Sequence, residues 1–283
     1  KPSKPFQFFN KAQNATISPR ESQIFTHINA QRNTATPRRA SIREAHNMKD
    51  DTLILKATGI DAGAYLQGQL TCDMNALAEG RWTYAACCDP HGKTLAILWI
   101  FPWPDGILLR LPRSAAPAFL AQTRENIDGR EVQIEETPLH FGALAGDNPS
   151  TEQRLIAADG KTLIGGVPGV IPFISEQPQA DALPAEAWYA ARIRAGIPEI
   201  YADTAGHILP QALNLEALGG FSTDKRGYVG HDALREQKNH RHLAIASVPT
   251  LASGQRALYD AKEKSVGTLL DYGHAAGETL VQA

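Results

Sequence analysis

Two strongly apolar segments joined by a short turn constrain the fold of this 283-residue chain more than any other feature of its sequence. The first spans residues 82–88 and the second residues 95–101, and both consist mainly of apolar residues. Asp89-Pro90-His91-Gly92, which lies between them, has the residue types of a tight turn. Two strand candidates joined in this way form an antiparallel hairpin. The fold is therefore expected to contain an antiparallel sheet.

Helices are predicted between further strands. Strands are expected at 52–58, 107–111 and 132–134, and helices at 61–70, 115–126 and 184–195. Helices interspersed with antiparallel strands are typical of the α+β class. From His242 onward, short strand patterns with turns at Gly254 and Gly267 predict a small C-terminal β-barrel.

Composition and charge argue against several kinds of protein. A formal net charge of −2 gives no general attraction to nucleic acid or to an anionic membrane. No apolar run reaches the roughly 18 residues of a membrane span, and the polar N-terminus lacks the apolar core of a secretory signal. The three cysteines include two neighbours and no CxxC pair, so they indicate neither a disulfide framework nor a zinc site. This pattern favours a reducing, cytoplasmic compartment.

The chain is predicted to divide into three segments: a mobile tail at 1–48, an α+β core at 49–240 and the C-terminal barrel at 241–283, which stops in an unfinished strand. The tail is rich in polar residues and has no apolar period, so it cannot bury enough surface to offset the entropy of ordering. The alternative is a basic arm that contacts RNA phosphates. Its cations would be Arg32, Arg38, Arg39 and Arg43.

A first block of polar residues surrounds Gly68. Gln67 and Gln69 flank this glycine, and each amide offers two donors and an acceptor, which suits the alternating edge of a pterin ring. Thr71 and Asp73 follow. Thr71 and Asp73 equally fit a polar cluster that ends a helix with purely local hydrogen bonds, so the binding and structural interpretations both stay open.

A second block lies at the tip of the hairpin. Asp89 and Lys93 flank the turn, and loops on a rigid sheet often carry binding groups, so these side chains are candidates to face a cleft. A turn that only reverses the chain is an equally good interpretation.

A third block lies on the helix predicted from residue 184. Trp188 and Arg192 are four residues apart and therefore share one helix face, where a tryptophan beside a cation can stack a flat ring. A buried tryptophan of the core is the alternative. Arg194 lies on a different face.

The fourth block, residues 219–232, is rich in glycine and includes Tyr228. Its glycines indicate tight turns or close backbone approach. His231 beside Asp232 allows an acid–base pair, but two neighbours on a strand point to opposite faces, so a solvated pair is the simpler interpretation.

These blocks, in this order and spacing, resemble the YgfZ family, relatives of the aminomethyltransferase of the glycine cleavage system. The matching motifs are YLQGQLTCD at 65–73, AGIP at 195–198 and PQALNLEALGG at 210–220. The resemblance extends over about 51–273. It implies a ring of α+β subdomains that ends in a β-barrel, with tetrahydrofolate near the centre. It also implies a role in assembling or repairing iron–sulfur proteins, with consequences for thiolated tRNA.

Individual positions carry the resemblance and also depart from it. Trp188 falls on a tryptophan linked to folate binding in the family, whereas a second such tryptophan is replaced by Thr52. The family signature KGCYTGQE becomes KRGYVGHD at 225–232, so Gly227 stands in place of the family's functional cysteine. Arg194 stands where the related transferase has a pterin-holding glutamate, and it can attract the carboxylates of folate instead.

The resulting prediction is a folate-binding accessory protein that supports iron–sulfur cluster assembly or repair and thereby tRNA modification. Tetrahydrofolate or a derivative is the expected ligand and iron–sulfur client proteins are the expected partners, with no direct nucleic-acid or membrane site, no metal ligand and no assigned catalytic residue. Two alternatives stay open: a folate-dependent one-carbon transferase, and a degenerate interaction module that binds no folate. The predicted folate-binding residues are Gln67, Gln69, Thr71, Asp73, Asp89, Lys93, Trp188, Arg192, Arg194 and Tyr228.

Overall fold

A computed structural model describes residues 51–125, 127–237, 241–248, 251, 257–259, 264–275 and 278–283. The predicted tail at 1–48 and its basic arm lie outside these residues.

A five-stranded antiparallel sheet forms the first layer. Its strands are β1 (Thr52–Thr58), β2 (Thr83–Cys88), β3 (Thr94–Trp103), β4 (Gly106–Pro112) and β5 (Gln133–Glu136), in the order β2-β3-β4-β1-β5. The predicted hairpin is confirmed as β2–β3, with Ala85 opposite Leu98. Strand β1 pairs with β4 on one side and β5 on the other.

Both faces of this sheet pack against other elements. Successive residues of a strand point to opposite faces, so a single strand contributes to two cores. On one face Leu53 and Leu55 of β1 pack with Tyr65 and Phe119 from helices α1 (Ala62–Gln69) and α2 (Ala116–Arg124). On the other face Ile54 of β1 packs in a second core. One-turn 3-10 helices lie at Met74–Ala76, Arg113–Ala115 and Pro210–Leu213.

A second antiparallel sheet covers that other face. It contains β6 (His140–Ala145), β7 (Leu155–Ala158), β8 (Lys161–Ile164) and β9 (Val170–Ser175), in the order β6-β9-β8-β7. Helix α3 (Ala185–Arg194) follows and places Trp188 in the shared core with Trp99 of β3 and Phe141 of β6. This core is the centre of the described structure.

The C-terminal strands form two small sheets. Strands β10 (Ile245–Val248), β13 (Asp271–Ala275) and β14 (Glu278–Gln282) pair in the order β10-β14-β13, and β11 (Ala257–Tyr259) pairs with β12 (Ser265–Thr268). They follow the short helix α4 (His231–Glu236), and within the described residues they do not close into a barrel.

Strand β13 packs closely on α3 at Gly273. A Cβ atom there would lie 2.9 Å from the Ala190 amide nitrogen, so the approach of strand and helix requires a residue without a side chain. The C-terminal sheet is thereby held against the helix that carries Trp188. None of the helices described is long and apolar enough to cross a membrane.

Candidate functional site

A buried network of charges lies beneath the central core. Arg110 of β4 forms an ion pair with Glu199, which follows α3. Arg192 of α3 pairs with Asp271 of β13, and its Nε lies 3.6 Å from Glu199 Oε2. The Tyr201 hydroxyl lies 2.9 Å from Glu199 Oε2 and 3.0 Å from Asp271 Oδ2. The network therefore connects the first sheet to the C-terminal sheet.

Two cations and two anions balance in this network, and each of the four charged side chains is at most 2% exposed. Burial alone would raise the pKa of Glu199, but Arg110 and Arg192 outweigh it and hold that pKa below its usual value. Burial also opposes the charge on Arg192, yet Glu199, Tyr201 and Asp271 raise its pKa above the usual value. Glu199 and Arg192 are therefore charged at neutral pH.

Aromatic rings surround the guanidinium of Arg110. Its Cζ atom lies 4.6 Å from the Phe141 ring centroid, 5.5 Å from that of Trp99 and 5.9 Å from that of Trp188. Phe141 and Trp188 meet edge to face at 5.3 Å. A desolvated cation against aromatic faces is attracted by about 2 kcal/mol. The arrangement fixes Arg110 from several sides.

Four donor groups of this cluster lack a hydrogen-bond partner among the described residues. They are the Tyr84 hydroxyl, Trp99 Nε1, Arg110 Nε and Trp188 Nε1. Burial raises the pKa of Tyr84 well above its usual value, so its hydroxyl keeps its proton. Buried polar groups are rarely left unpaired, because each such group costs about 1–3 kcal/mol. Among the described residues, these four donors lie in one core.

A pocket of about 360 Å³ opens beside this cluster. Phe141 belongs to both the pocket wall and the aromatic cluster, and Arg110 Nη2 donates to Thr52 Oγ1, also in the wall, at 3.1 Å. The ionisable groups around the opening are Arg113, Glu136, His140 and Glu176. Arg113 and Glu136 form an exposed ion pair of 2.9 Å at its rim.

The structure brings two of the predicted residues to this centre. Trp188 and Arg192 lie on the buried side of α3 as their spacing predicts, and each is 0% exposed. Arg192 donates to the Ile197 carbonyl at 2.6 Å in addition to its ion pairs. Arg194 is exposed on another face of the same helix.

The first polar block makes local contacts. Gln67 Nε2 donates to Asp73 Oδ1 at 3.0 Å, and Gln67 Oε1 accepts from the Met74 amide at 2.7 Å. Thr71 is fully buried, where it accepts from the Ala86 amide and donates to the Gly220 carbonyl. Gln69 is buried on α1. These contacts tie the first block to β2 and to the segment around Gly220.

The hairpin tip is also held by internal hydrogen bonds. Asp89 Oδ1 accepts from the amides of His91 and Lys93 at 2.9 and 2.8 Å, which is the local turn that the sequence offered as one interpretation. Gly230 lies directly against this tip, because a Cβ atom there would be 2.5 Å from the Asp89 carbonyl oxygen. The second and fourth blocks are thus in contact.

The chain is similar in sequence to known proteins. Curated relatives named "tRNA-modifying protein YgfZ" are 31% identical in Shigella sonnei and 30% identical in Escherichia coli K12. In both, the alignment covers 67% of this chain and 66% of the relative. The chain belongs to the YgfZ family. It spans about two thirds of the length of these curated relatives.

A solved structure shares the fold. The glycine cleavage system aminomethyltransferase T from Bartonella henselae superposes with a TM-score of 0.61 at 14% identity, over 83% of this chain and 76% of that one. At this identity the likeness concerns the fold alone, which is mixed α and β with several sheets. No family model matches the chain.

The YgfZ signature at 225–232 packs on the first block. Lys225 Nζ donates to the Leu70 carbonyl at 2.5 Å and to that of Cys72, and the Val229 amide donates to the Gly68 carbonyl at 3.1 Å. Burial lowers the pKa of Lys225 to about 8. The motifs that define the family resemblance thus meet in space.

Two further positions of the signature have distinct surroundings. Tyr228 is buried and meets the His231 ring edge to face, and His231 and Asp232 begin helix α4 rather than lying on a strand as the sequence interpretation assumed. Gly227, in place of the family cysteine, is exposed with φ +74° and has open space where a Cβ would lie. This position is therefore accessible from outside.

Sequence reasoning missed the charged partners of the centre. Arg110 is a lone charge inside the apolar strand ILLRLP, and a charge in such a run is the one local signal that could have marked it. Glu199 and Asp271 carry no comparable signal, because their partners are distant in sequence.

Proposed function

We propose that the protein binds tetrahydrofolate or a derivative in the pocket beside Thr52 and acts as an accessory protein for iron–sulfur cluster assembly or repair, and thereby in tRNA modification. The relatives' name supports the tRNA-modification part. The pocket backed by the aromatic cluster and Arg110 is the observation that carries the folate part. The proposed ligand is bound rather than transformed, so no catalytic residue is assigned.

The pocket fits a flat heteroaromatic ring. Its volume of about 360 Å³ lies within the range of small-ligand sites, roughly 300–1,000 Å³. Phe141 provides an aromatic wall, and the carboxylates of Glu136 and Glu176, which also line the pocket, would accept hydrogen bonds from ring N–H groups. Arg113 at the rim suits the anionic glutamate tail of a folate. These residues would hold the ligand.

Trp188 has an indirect role in this proposal. It lies behind Phe141 and is fully buried, so it supports the pocket wall through the edge-to-face contact. Arg192 likewise fixes Glu199 and hence Arg110. Arg194, the polar residues at Gln67–Asp73, Asp89, Lys93 and Tyr228 do not line this pocket, and their role as ligand contacts stays a prediction from the sequence alone.

Other parts of the proposal rest on the family. We infer that the sheets form a ring of subdomains with a C-terminal barrel, and that the protein works in the cytoplasm, where its buried cysteines Cys72, Cys87 and Cys88 stay unpaired. The resemblance to the aminomethyltransferase implies a catalytic carboxylate after the hairpin, whereas the matching stretch here, Thr94–Ile97 of β3, has no carboxylate side chain. We therefore rank the transferase below the binding protein.

A pocket-filling variant tests the site. Gln177 lines the pocket and is exposed, so Gln177→Trp fills the opening without disturbing the core. We expect calorimetric titration with tetrahydrofolate to show saturable binding by the wild type and at least tenfold weaker binding by Gln177→Trp. Ala180→Trp, at an exposed residue that does not line the pocket, is the matched control and should bind normally. Equal binding by all three proteins would place the folate elsewhere.

A further inference from the structure

The hydroxyl oxygen of Thr52 already accepts one hydrogen bond within the protein. Arg110 Nη2 donates to Thr52 Oγ1 at 3.1 Å, so the oxygen acts as an acceptor toward the guanidinium. Within the described residues Oγ1 donates to no acceptor of its own. A hydroxyl carries one proton and two lone pairs. Its proton is therefore left for a partner outside the protein's own bonds.

Thr52 also forms part of the pocket wall. It is 8% exposed, and Ile54 and Phe141 line the same pocket. As a β-branched residue in a strand, threonine has few χ1 rotamers, so the hydroxyl is held in place. The hydroxyl proton can therefore point into the pocket.

Arg110 cannot move away from Thr52. Its other Nη nitrogen is paired with Glu199, and its guanidinium lies over the Phe141 ring. Arg110 and its strand partner Ile54 also have adjacent backbones in the sheet. The arginine therefore fixes the hydrogen-bonding role of Thr52, as a positioning residue that acts through it.

We infer that Thr52 is a specificity-determining residue, whose hydroxyl donates a hydrogen bond to the ring carbonyl of a bound pterin. The inference rests on the proposed function and adds the orientation of the ring. The carbonyl edge faces Thr52, and the N–H edge faces the carboxylates of Glu136 and Glu176. A ring with an amino group in place of the carbonyl leaves the hydroxyl proton without an acceptor and is discriminated against.

A cycle of two ligands and three proteins tests the inference. The ligands are tetrahydrofolate and its 4-amino-4-deoxy analogue, in which an amino group replaces the ring carbonyl. The proteins are the wild type, Thr52→Val, which is isosteric and lacks the hydroxyl, and Thr52→Ser, which keeps the hydroxyl. Thermal melting confirms that each variant is folded.

The wild type and Thr52→Ser should both prefer tetrahydrofolate over the analogue. In Thr52→Val the preference should fall by about three- to tenfold, the contribution of one neutral hydrogen bond. A folded Thr52→Val protein with the wild-type preference would overturn the inference while leaving the proposed function intact. Absence of folate binding by the wild type would overturn both.

Discussion

At the scale of single residues, the stability of the central core depends on two buried arginines being matched by two buried carboxylates. Arg110, Arg192, Glu199 and Asp271 are buried together, and removing one member of such a set leaves an uncompensated charge that costs about 3–5 kcal/mol. We expect Glu199→Gln to lower the free energy of unfolding by that amount in urea denaturation. Glu136→Gln, which breaks only the exposed pair with Arg113, should change it by no more than about 1 kcal/mol.

The carboxylate of Glu199 also makes the folding stability depend on pH, and the direction of that dependence follows from its pKa. Because the folded-state pKa of Glu199 is depressed, its contribution to stability is present above its unfolded-state pKa and is lost as the pH falls toward the folded value. Wild-type stability should therefore decline on acidification below the usual glutamate range. If Glu199→Gln showed an equally steep acid decline, Glu199 would not be its source.

At the scale of elements, the docking of β13 on α3 joins the C-terminal sheet to the core. Gly273→Ala would bring a methyl group 2.9 Å from the Ala190 nitrogen, which forces strand and helix apart and strains the Arg192–Asp271 pair. We expect a loss of about 1–3 kcal/mol in unfolding free energy. Gly267→Ala is the control, because its new methyl group meets Ala283 at an ordinary 3.5 Å. Equal stability of the two variants would show that the contact is not tight.

Elements were predictable from the sequence where their signals are local. The hairpin β2–β3 follows from two apolar runs around Asp89-Pro90-His91-Gly92, and α3 from the helical pattern that begins at residue 184. The position of β1 between β4 and β5 depends on pairing with strands about 50 and 80 residues away, which no local pattern encodes. The C-terminal strands were predicted, but within the described residues they form two small sheets.

The candidate site was predictable only in part, for the same reason. Trp188 and Arg192 were found because they share a helix, whereas Glu199 and Asp271 became partners of arginines only through folding. The pocket wall combines Thr52 and Phe141, which are far apart in sequence. The family resemblance drew attention to Thr52 as a missing tryptophan, and the structure shows a hydroxyl held by Arg110 in that place.

At the scale of the whole molecule, the proposed ligand site and a structural junction are formed by different segments of the chain. The pocket lies between β1 and the start of β6, whereas the hairpin tip and the signature at 225–232 pack on each other through Asp89 and Gly230. The predicted ligand contacts Asp89, Lys93 and Tyr228 belong to the junction, whereas Trp188 lies behind the pocket wall against Phe141. Locating the ligand on the intact protein therefore decides between them.

Hydrogen–deuterium exchange with and without saturating tetrahydrofolate makes that test most directly. We predict that the ligand slows exchange in β1 and in the segment 136–141, with little change at 89–93 or 225–230. Protection confined to the hairpin tip and the signature segment, or no protection anywhere, would contradict a folate site beside Thr52.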